Sequence, residues 1–190
     1  MNPIAISAIH QFHEKNNAIL TSVNGWMMPK RYVGIKDELE IVENFVGIHD
    51  ISSKVKLMLN GHDVFEVLSE KSEVISELNR KVMFMRSFKY GFEFILSKLT
   101  NDQYLILTDQ QFKNTVTQIC QKDISCVDIT SGLTGIRLIG PKSRDTICAI
   151  SAFDIRDKMF PDLSVAQISV MHQHAYLFRT DIEDQLCYDI

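Results

Sequence analysis

Apolar and polar positions alternate along this chain with two different periods. Between residues 35 and 45 the spacing is helical. Ile35, Leu39, Val42 and Phe45 with Ile41 mark the side expected to be buried, and Lys36, Asp37, Glu38, Glu40 and Glu43 supply a solvated one. Gly47 is placed to end that helix. Ile6, Ile9 and Phe12 with Ala5 and Ala8 predict a short amphipathic helix, with Pro3 in its first turn and an end near Asn16 and Asn17. Shorter apolar runs predict strands at residues 18–23, 48–51, 55–59, 82–85, 92–99, 104–108, 166–171, 175–179 and 186–190, with another through Cys126 and Val127. Asn24-Gly25 and Thr100-Asn101-Asp102 read as turns. Residues 64–68 continue as a helix, and 69–81 are polar enough for a loop or a short second helix. Asp109 is placed to cap a helix from Gln110 through Gln121, with Phe112, Val116, Ile119 and Cys120 on its apolar side. Pro141 opens a helix running toward Ile150, and residues 153–161 are irregular.

One stretch returns. Residues 47–61 carry Asp50-Ile51-Ser52-Ser53, an apolar strand and a closing Gly61. The second half carries Asp128-Ile129-Thr130-Ser131, another apolar strand and a closing Gly140. A helix-like segment follows each glycine, and the second copy has a link one residue longer. This predicts a duplicated α+β module of antiparallel sheet and helices. The expected organisation is a single domain over residues 1–190, with internal halves of about 1–120 and 121–190.

Composition narrows the function classes. The chain has 190 residues and a net charge of −4, which argues against a nucleic-acid partner held by phosphate contacts. No apolar run reaches the roughly 18 residues of a membrane span, and the N-terminus lacks a signal-peptide pattern, so no membrane partner is expected. Cys120, Cys126, Cys148 and Cys187 show no paired spacing and sit in apolar segments, which suits a reducing, cytoplasmic setting.

Few residues stand out as chemistry. His172 and His174 flank a predicted turn, where a solvated loop is favoured over two metal ligands. His49 beside Asp50 suits a hydrogen-bonded structural pair. Trp26, in a predicted loop with Met28 and Pro29, either lids a core edge or walls a flat ligand. Glu93 lies inside the apolar run Phe92-Glu93-Phe94-Ile95-Leu96. Period-two alternation puts it on one face with Ile95 and Ser97. It faces either solvent at a sheet edge or a polar cleft where its pKa is tunable.

Several spaced motifs occur together in order. Gly25-Trp26-Met27-Met28-Pro29, Gly47-Ile48-His49-Asp50-Ile51-Ser52 and Leu138-Ile139-Gly140-Pro141-Lys142-Ser143-Arg144 resemble the folate-binding domain of the glycine cleavage T-protein, an aminomethyltransferase. The run from Phe153 through Phe160-Pro161 to Arg179 is also similar to the gamma subunit of sarcosine oxidase. The resemblance implies a pseudo-symmetric α+β fold, lacking the family's C-terminal closing domain, around a hole that accepts tetrahydrofolate. It implies that Glu93 takes the place of the catalytic Asp and Phe84 that of a pterin-lining Tyr. Trp26 and Met28 are then expected at the entrance or wall. Arg179 or Arg86 is expected at a carboxylate tail, and Asp189 where the family has a later folate-contacting Glu.

The departures are Phe92 in place of an Asp, the longer Glu93, and Arg179-Thr180-Asp181-Ile182-Glu183 in place of a glycine-rich turn. Two readings follow. One is a folate-binding part of an aminomethyltransferase or amine-demethylating complex in one-carbon metabolism, with a protein partner subunit. The other is a non-catalytic structural subunit of an oxidase-like complex that has lost the folate site.

Overall fold

The computed structural model describes residues 5–77, 80–119 and 124–190. Its first elements are β1 (Ala5–Ile6), α1 (His10–Lys15), β2 (Ile19–Val23), β3 (Trp26–Arg31) and α2 (Ile35–Asn44). Next come β4 (Gly47–Asp50), β5 (Val55–Asn60), α3 (Val64–Ser69), β6 (Ser72–Val74), β7 (Val82–Ser87), β8 (Glu93–Lys98) and β9 (Gln103–Thr108). The last are α4 (Lys113–Ile119), β10 (Ser125–Asp128), β11 (Ile136–Ile139), α5 (Ser143–Ile150), β12 (Ser164–Val170), β13 (Gln173–Arg179) and β14 (Cys187–Asp189).

The strands form a six-stranded antiparallel sheet in the order β10-β5-β9-β8-β7-β6, a five-stranded one in the order β12-β13-β14-β11-β4, and a small β1-β3-β2 sheet. Exchanging β5, β7, β8 and β9 for β11, β12, β13 and β14, and β10 for β4, converts the order of one large sheet into that of the other. The duplication legible in residues 47–61 and 128–140 therefore extends over the five-stranded sheet and over all but β6 of the six-stranded one. The two copies also trade strands. β4 pairs with β11 and β10 with β5, so each copy begins in the other copy's sheet.

The crossing point explains the repeated Asp-Ile-Ser/Thr. The Ser52 amide donates to Asp50 Oδ1 and the Thr130 amide to Asp128 Oδ1, each at 2.9 Å, giving two short side-chain-closed turns. Each turn then bonds across to the other copy. The Ile51 amide donates to the Gly135 carbonyl at 2.8 Å, and that of Ile129 to the Lys56 carbonyl at 2.9 Å. In return Gly135 donates to Ser52 Oγ at 3.1 Å, and Lys56 to Thr130 Oγ1 at 3.0 Å. Gly135 is the counterpart of Lys56, one residue further along because of the longer link. A Cβ at Gly135 would lie 3.0 Å from Ile51 Cγ1, so the close approach suits glycine.

Three apolar layers follow from alternation along the strands. Leu57, Met85, Phe94 and Leu96 face α3 and α4, where Val64, Leu68 and Val116 are fully buried. Leu138, Leu177 and Tyr188 face α5 through Ile147 and the irregular segment through Ile155 and Phe160. Between the two sheets lie Val82, Leu105, Val165 and Phe178, with Phe84, Ile95, Leu107 and Tyr176 packed around them. The architecture is thus helix, sheet, sheet, helix.

Several local expectations change. Ala5–Ile6 is a strand in parallel register with Trp26 and Met27, and the helix begins only at His10. Pro3 lies outside the described residues. Trp26 is in β3, not a loop, because the Asn24-Gly25 turn, with φ of 50° and 83°, closes a hairpin with β2. Asp109 gives no side-chain cap, since its Oδ1 accepts from Lys54 Nζ at 2.5 Å. Residues 110–112 are 3-10 helix, and Cys120 and Gln121 lie outside the described residues. Part of 69–81 is β6, and Cys148 is exposed. The largest correction is α2, which forms where expected but buries none of its residues.

The crossing predicts a selective stability loss. Thr130→Val removes the acceptor of a buried amide and is expected to cost about 1–3 kcal/mol in urea unfolding, whereas Thr130→Ser stays within about 0.5 kcal/mol of the parent. Equal losses in the two variants would contradict the assigned hydroxyl role.

Candidate functional site

In β7 and β8, Phe84 stands opposite Ile95 and Arg86 opposite Glu93. Directly opposed residues of an antiparallel pair point to one face, so these four form a continuous patch. Phe84 and Ile95 are the partly buried end, packed at the layer between the sheets. Glu93 and Arg86 are the open end, with side chains 50% and 46% exposed. Arg86 Nη2 donates to Glu93 Oε1 at 2.7 Å, and Glu73 Oε1 lies 3.7 Å from Arg86 Nη1. The hydrogen bond to Glu93 raises the Arg86 pKa. The same row continues through Leu107 to Lys56. Lys56 is buried, and its Nζ donates to the carbonyls of Ser52 at 2.9 Å and Lys54 at 3.1 Å. Burial lowers its pKa, against the opposing pull of Asp50 and Asp128.

Across the layer, Asp189 stands opposite Phe178 and Arg137, and Arg137 opposite His49. Asp189 therefore points toward the layer that holds Phe84. Its carboxylate is bound by Arg137 through Nε to Oδ1 at 2.7 Å and Nη2 to Oδ2 at 2.8 Å. Those hydrogen bonds raise the Arg137 pKa further above its ordinary value. Burial lowers the His49 pKa, and Arg137 adds to the effect. Arg179 lies two residues beyond Leu177, on the other face. It donates to Asp157 Oδ1 at 2.6 Å, to the Phe160 carbonyl at 2.9 Å and to Asp181 Oδ2 at 2.7 Å. It anchors the irregular segment to the sheet.

Trp26 and Met28 share neither location. Both lie in the three-stranded sheet, Trp26 half-buried and Met28 buried. Sequence reading thus names one compact set, Phe84, Arg86 and Glu93, with Asp189 facing the same layer and Trp26, Met28 and Arg179 elsewhere.

A cleft of about 470 Å³ lies between α1, the end of β3, α2 and β4. His13 on its wall is 2% exposed. Its Nε2 lies 2.8 Å from Asp50 Oδ2, and its Nδ1 meets the Tyr32 hydroxyl. Burial alone would raise the Asp50 pKa. Hydrogen bonds from the side chains of Ser52, Ser7 and His13 and from the Ser52 amide outweigh it and hold the carboxyl below its usual value. An ionised Asp50 makes Nε2 the donor, and a neutral imidazole then accepts at Nδ1 from the Tyr32 hydroxyl. Burial raises the Tyr32 pKa, with Asp50 and Glu38 adding to it, so the phenol stays protonated. His49 is not the partner of Asp50, because neighbours in a strand point to opposite faces. The 37 residues separating His13 from Asp50 carry no spacing signal.

The family model of the GCVT N-terminal domain matches residues 9–190. An aminomethyltransferase of Staphylococcus carnosus is 20% identical over 167 residues, covering 82% of this chain and 46% of the relative. A probable aminomethyltransferase of Pyrococcus horikoshii is 25% identical over 167 residues, covering 78% and 42%. The chain spans about half the length of the curated relatives it matches. The crystal structure of glycine cleavage system aminomethyltransferase T from Bartonella henselae shares the fold with a TM-score of 0.73 at 16% identity, over 98% of this chain and 53% of that one. Heterotetrameric sarcosine oxidase from Corynebacterium sp. U-96, in complex with pyrrole 2-carboxylate, has a chain matching with a TM-score of 0.58 at 14% identity, over 78% and 76%.

The buried pair predicts a pH signature. A carboxyl whose folded pKa is depressed stabilises the fold above the unfolded value of about 3.9, and that contribution fades as pH falls through the folded value. The stability gap between the parent and Asp50→Asn is expected to be widest near neutral pH and to narrow progressively as pH falls below about 5. A gap independent of pH would contradict an ionised Asp50.

Proposed function

The chain belongs to the GCVT N-terminal domain family, and on that premise we propose that it is a tetrahydrofolate-binding, T-protein-like protein of one-carbon metabolism. In this reading it works in the cytoplasm as one part of an aminomethyltransferase or amine-demethylating assembly that includes a protein partner. The observation that carries the reading is the family match over residues 9–190, with aminomethyltransferases among the relatives.

The donor and acceptor set on β7 and β8 fits such a ligand. Phe84 and Ile95 offer a partly buried apolar platform for a flat ring. Glu93 beside them accepts from ring or amine N–H groups, and Arg86 offers a fork for a carboxylate. Bound tetrahydrofolate would supply the nitrogens that carry the one-carbon unit. Glu93 would accept hydrogen bonds from those nitrogens and hold them in place beside the Phe84 and Ile95 platform. Arg179 and Asp189 fit less well as direct ligands, because their side chains are 8% and 4% exposed and are held by intrachain partners.

That closure favours a second reading, a structural subunit that has lost the folate site. Glu93 itself is already held by Arg86. Titration with tetrahydrofolate, followed by thermal unfolding and calorimetry, separates the two. Under the folate reading, ligand at about 100 times its dissociation constant stabilises the fold by about 2.7 kcal/mol, a rise of a few degrees. Glu93→Ala is expected to weaken binding at least about tenfold. Neither heat nor a shift up to about millimolar ligand would favour the structural reading.

A further inference from the structure

A second cleft, of about 420 Å³, opens on the helix side of the six-stranded sheet, between the end of α3, the turn joining β7 to β8, and α4. Ser87, the last residue of β7, is on its wall. Strand alternation puts Ser87 on the face of Met83 and Met85, away from Phe84 and Arg86. The residue is 2% exposed, and its Oγ has no hydrogen-bond partner among the described residues. Ser72, directly opposite on β6, is 1% exposed, and its Oγ has none either. A buried hydroxyl left unpaired destabilises the fold, so one that borders a cleft marks a place where a ligand can supply the partner.

The turn that forms one wall is held in place. The Phe88 amide donates to the Lys71 carbonyl at 3.0 Å, and the Ser87 amide to the Phe92 carbonyl and the Gly91 amide to the Ser87 carbonyl, each at 2.9 Å. The Tyr90 ring lies 6.4 Å from that of Phe92, which stacks on Phe112 at 4.4 Å. The wall is therefore arranged before any ligand arrives. Its chemistry is cationic and hydroxylic. Lys89 Nζ lies 5.0 Å from the centre of the Tyr90 ring, and Lys89 forms no ion pair among the described residues. Lys71 is a second cation on the wall, against the single carboxylate of Glu70. Thr115 and Gln118 of α4 add a hydroxyl and an amide, neither in a side-chain hydrogen bond among the described residues. Phe88 and Tyr90, 63% and 52% exposed, leave ring surface beside them.

We propose that this cleft binds a small organic anion, an oxyanion head carried on a ring. The head, a phosphate or a carboxylate, accepts from the Ser87 and Thr115 hydroxyls and from the Lys89 ammonium. The ring lies against Tyr90 and Phe88. The volume suits such a ligand, and the few polar groups converge from two elements. A neutral ligand forgoes both cations, and a cationic one meets two like charges against one opposite charge. The cleft lies on the other face of β7 from Phe84 and Arg86, so this inference does not depend on folate binding.

The test uses phenyl phosphate, benzoate and neutral benzyl alcohol, titrated into the isotope-labelled full chain and followed by amide chemical shifts. For ligands this small the expected dissociation constant is about millimolar. At least one anion is expected to bind at least about tenfold tighter than benzyl alcohol, and the tighter of the two identifies the head. The amides of Thr115 and Gln118 are expected to shift with those of residues 87–91. Lys89→Met and Ser87→Ala should each weaken binding at least about fivefold, while the melting temperature of Ser87→Ala stays equal to or above the parent's. No saturable shift for either anion up to about 20 mM would overturn the proposal, as would equal binding of benzyl alcohol. Shifts confined to Phe84, Ile95 and Leu107 would place the probe on the opposite face and overturn it too. Binding that survives both variants would do the same, and a melting temperature several degrees lower in Ser87→Ala would return the hydroxyl to a structural role.

Discussion

Everything in this fold is arranged around the exchange of hydrogen bonds where the two copies cross. Asp50 and Asp128 each close a turn, and each turn offers one amide and one hydroxyl to the opposite copy. That exchange adds to the side-chain packing between the two large sheets and to the bond of the Val82 amide to the Leu163 carbonyl at 3.0 Å. With it, a strand from each copy is fixed in the other's sheet, and neither copy can complete its sheet alone. Backbone groups at a crossing cannot pair within their own ladder, and a buried unpaired amide costs about 1–3 kcal/mol. The side chains of Ser52 and Thr130 stand where the ladders are interrupted, and they supply the missing acceptors.

The same crossing positions the candidate site. It brings the sheets face to face, so Phe84, Ile95 and Leu107 on one side meet Val165 and Phe178 on the other. The row across the six-stranded sheet then runs from solvent at Glu93 and Arg86 to the buried Lys56 beside the crossing. Charges within the layer are neutralised locally, as in Arg137 with Asp189. Beyond its edge, Glu93 keeps half its surface open, and an open carboxylate next to an apolar platform is a feature a ligand can use. The His13, Asp50 and Tyr32 chain does related work on the outer side. It fastens α1 and the end of β3 to the strand that enters the crossing.

Much of this was legible in the chain. The paired Asp-Ile-Ser/Thr segments, their closing glycines and the one-residue difference in link length all correspond to the observed turns. Strand alternation placed Glu93 and Ile95 on one face. What was not legible required knowing which surfaces meet. The periodicity of residues 35–45 identifies a helix and its apolar side but not how much of that side is covered, and here Ile35, Leu39, Ile41 and Phe45 stay exposed. Trp26 beside Met and Pro reads as a loop until β1 and β2 are seen to flank it. His49 is next to Asp50 in sequence, yet the pleat turns it away and a histidine from a distant helix takes the contact. Arg179 and Asp189 carry charges suited to a ligand, but Asp157, Asp181 and Arg137 come to them from other elements and satisfy those charges first.

Native-state hydrogen exchange of the four crossing amides, Ile51, Lys56, Ile129 and Gly135, reads whether the crossing holds the two copies together. If the reciprocal bonds hold the two copies together, all four amides exchange only through global unfolding, with one common opening free energy equal to that from denaturant titration. If the amides of one turn open at a free energy several kcal/mol below the global value while the sheets remain protected, the crossing does not hold the two copies together.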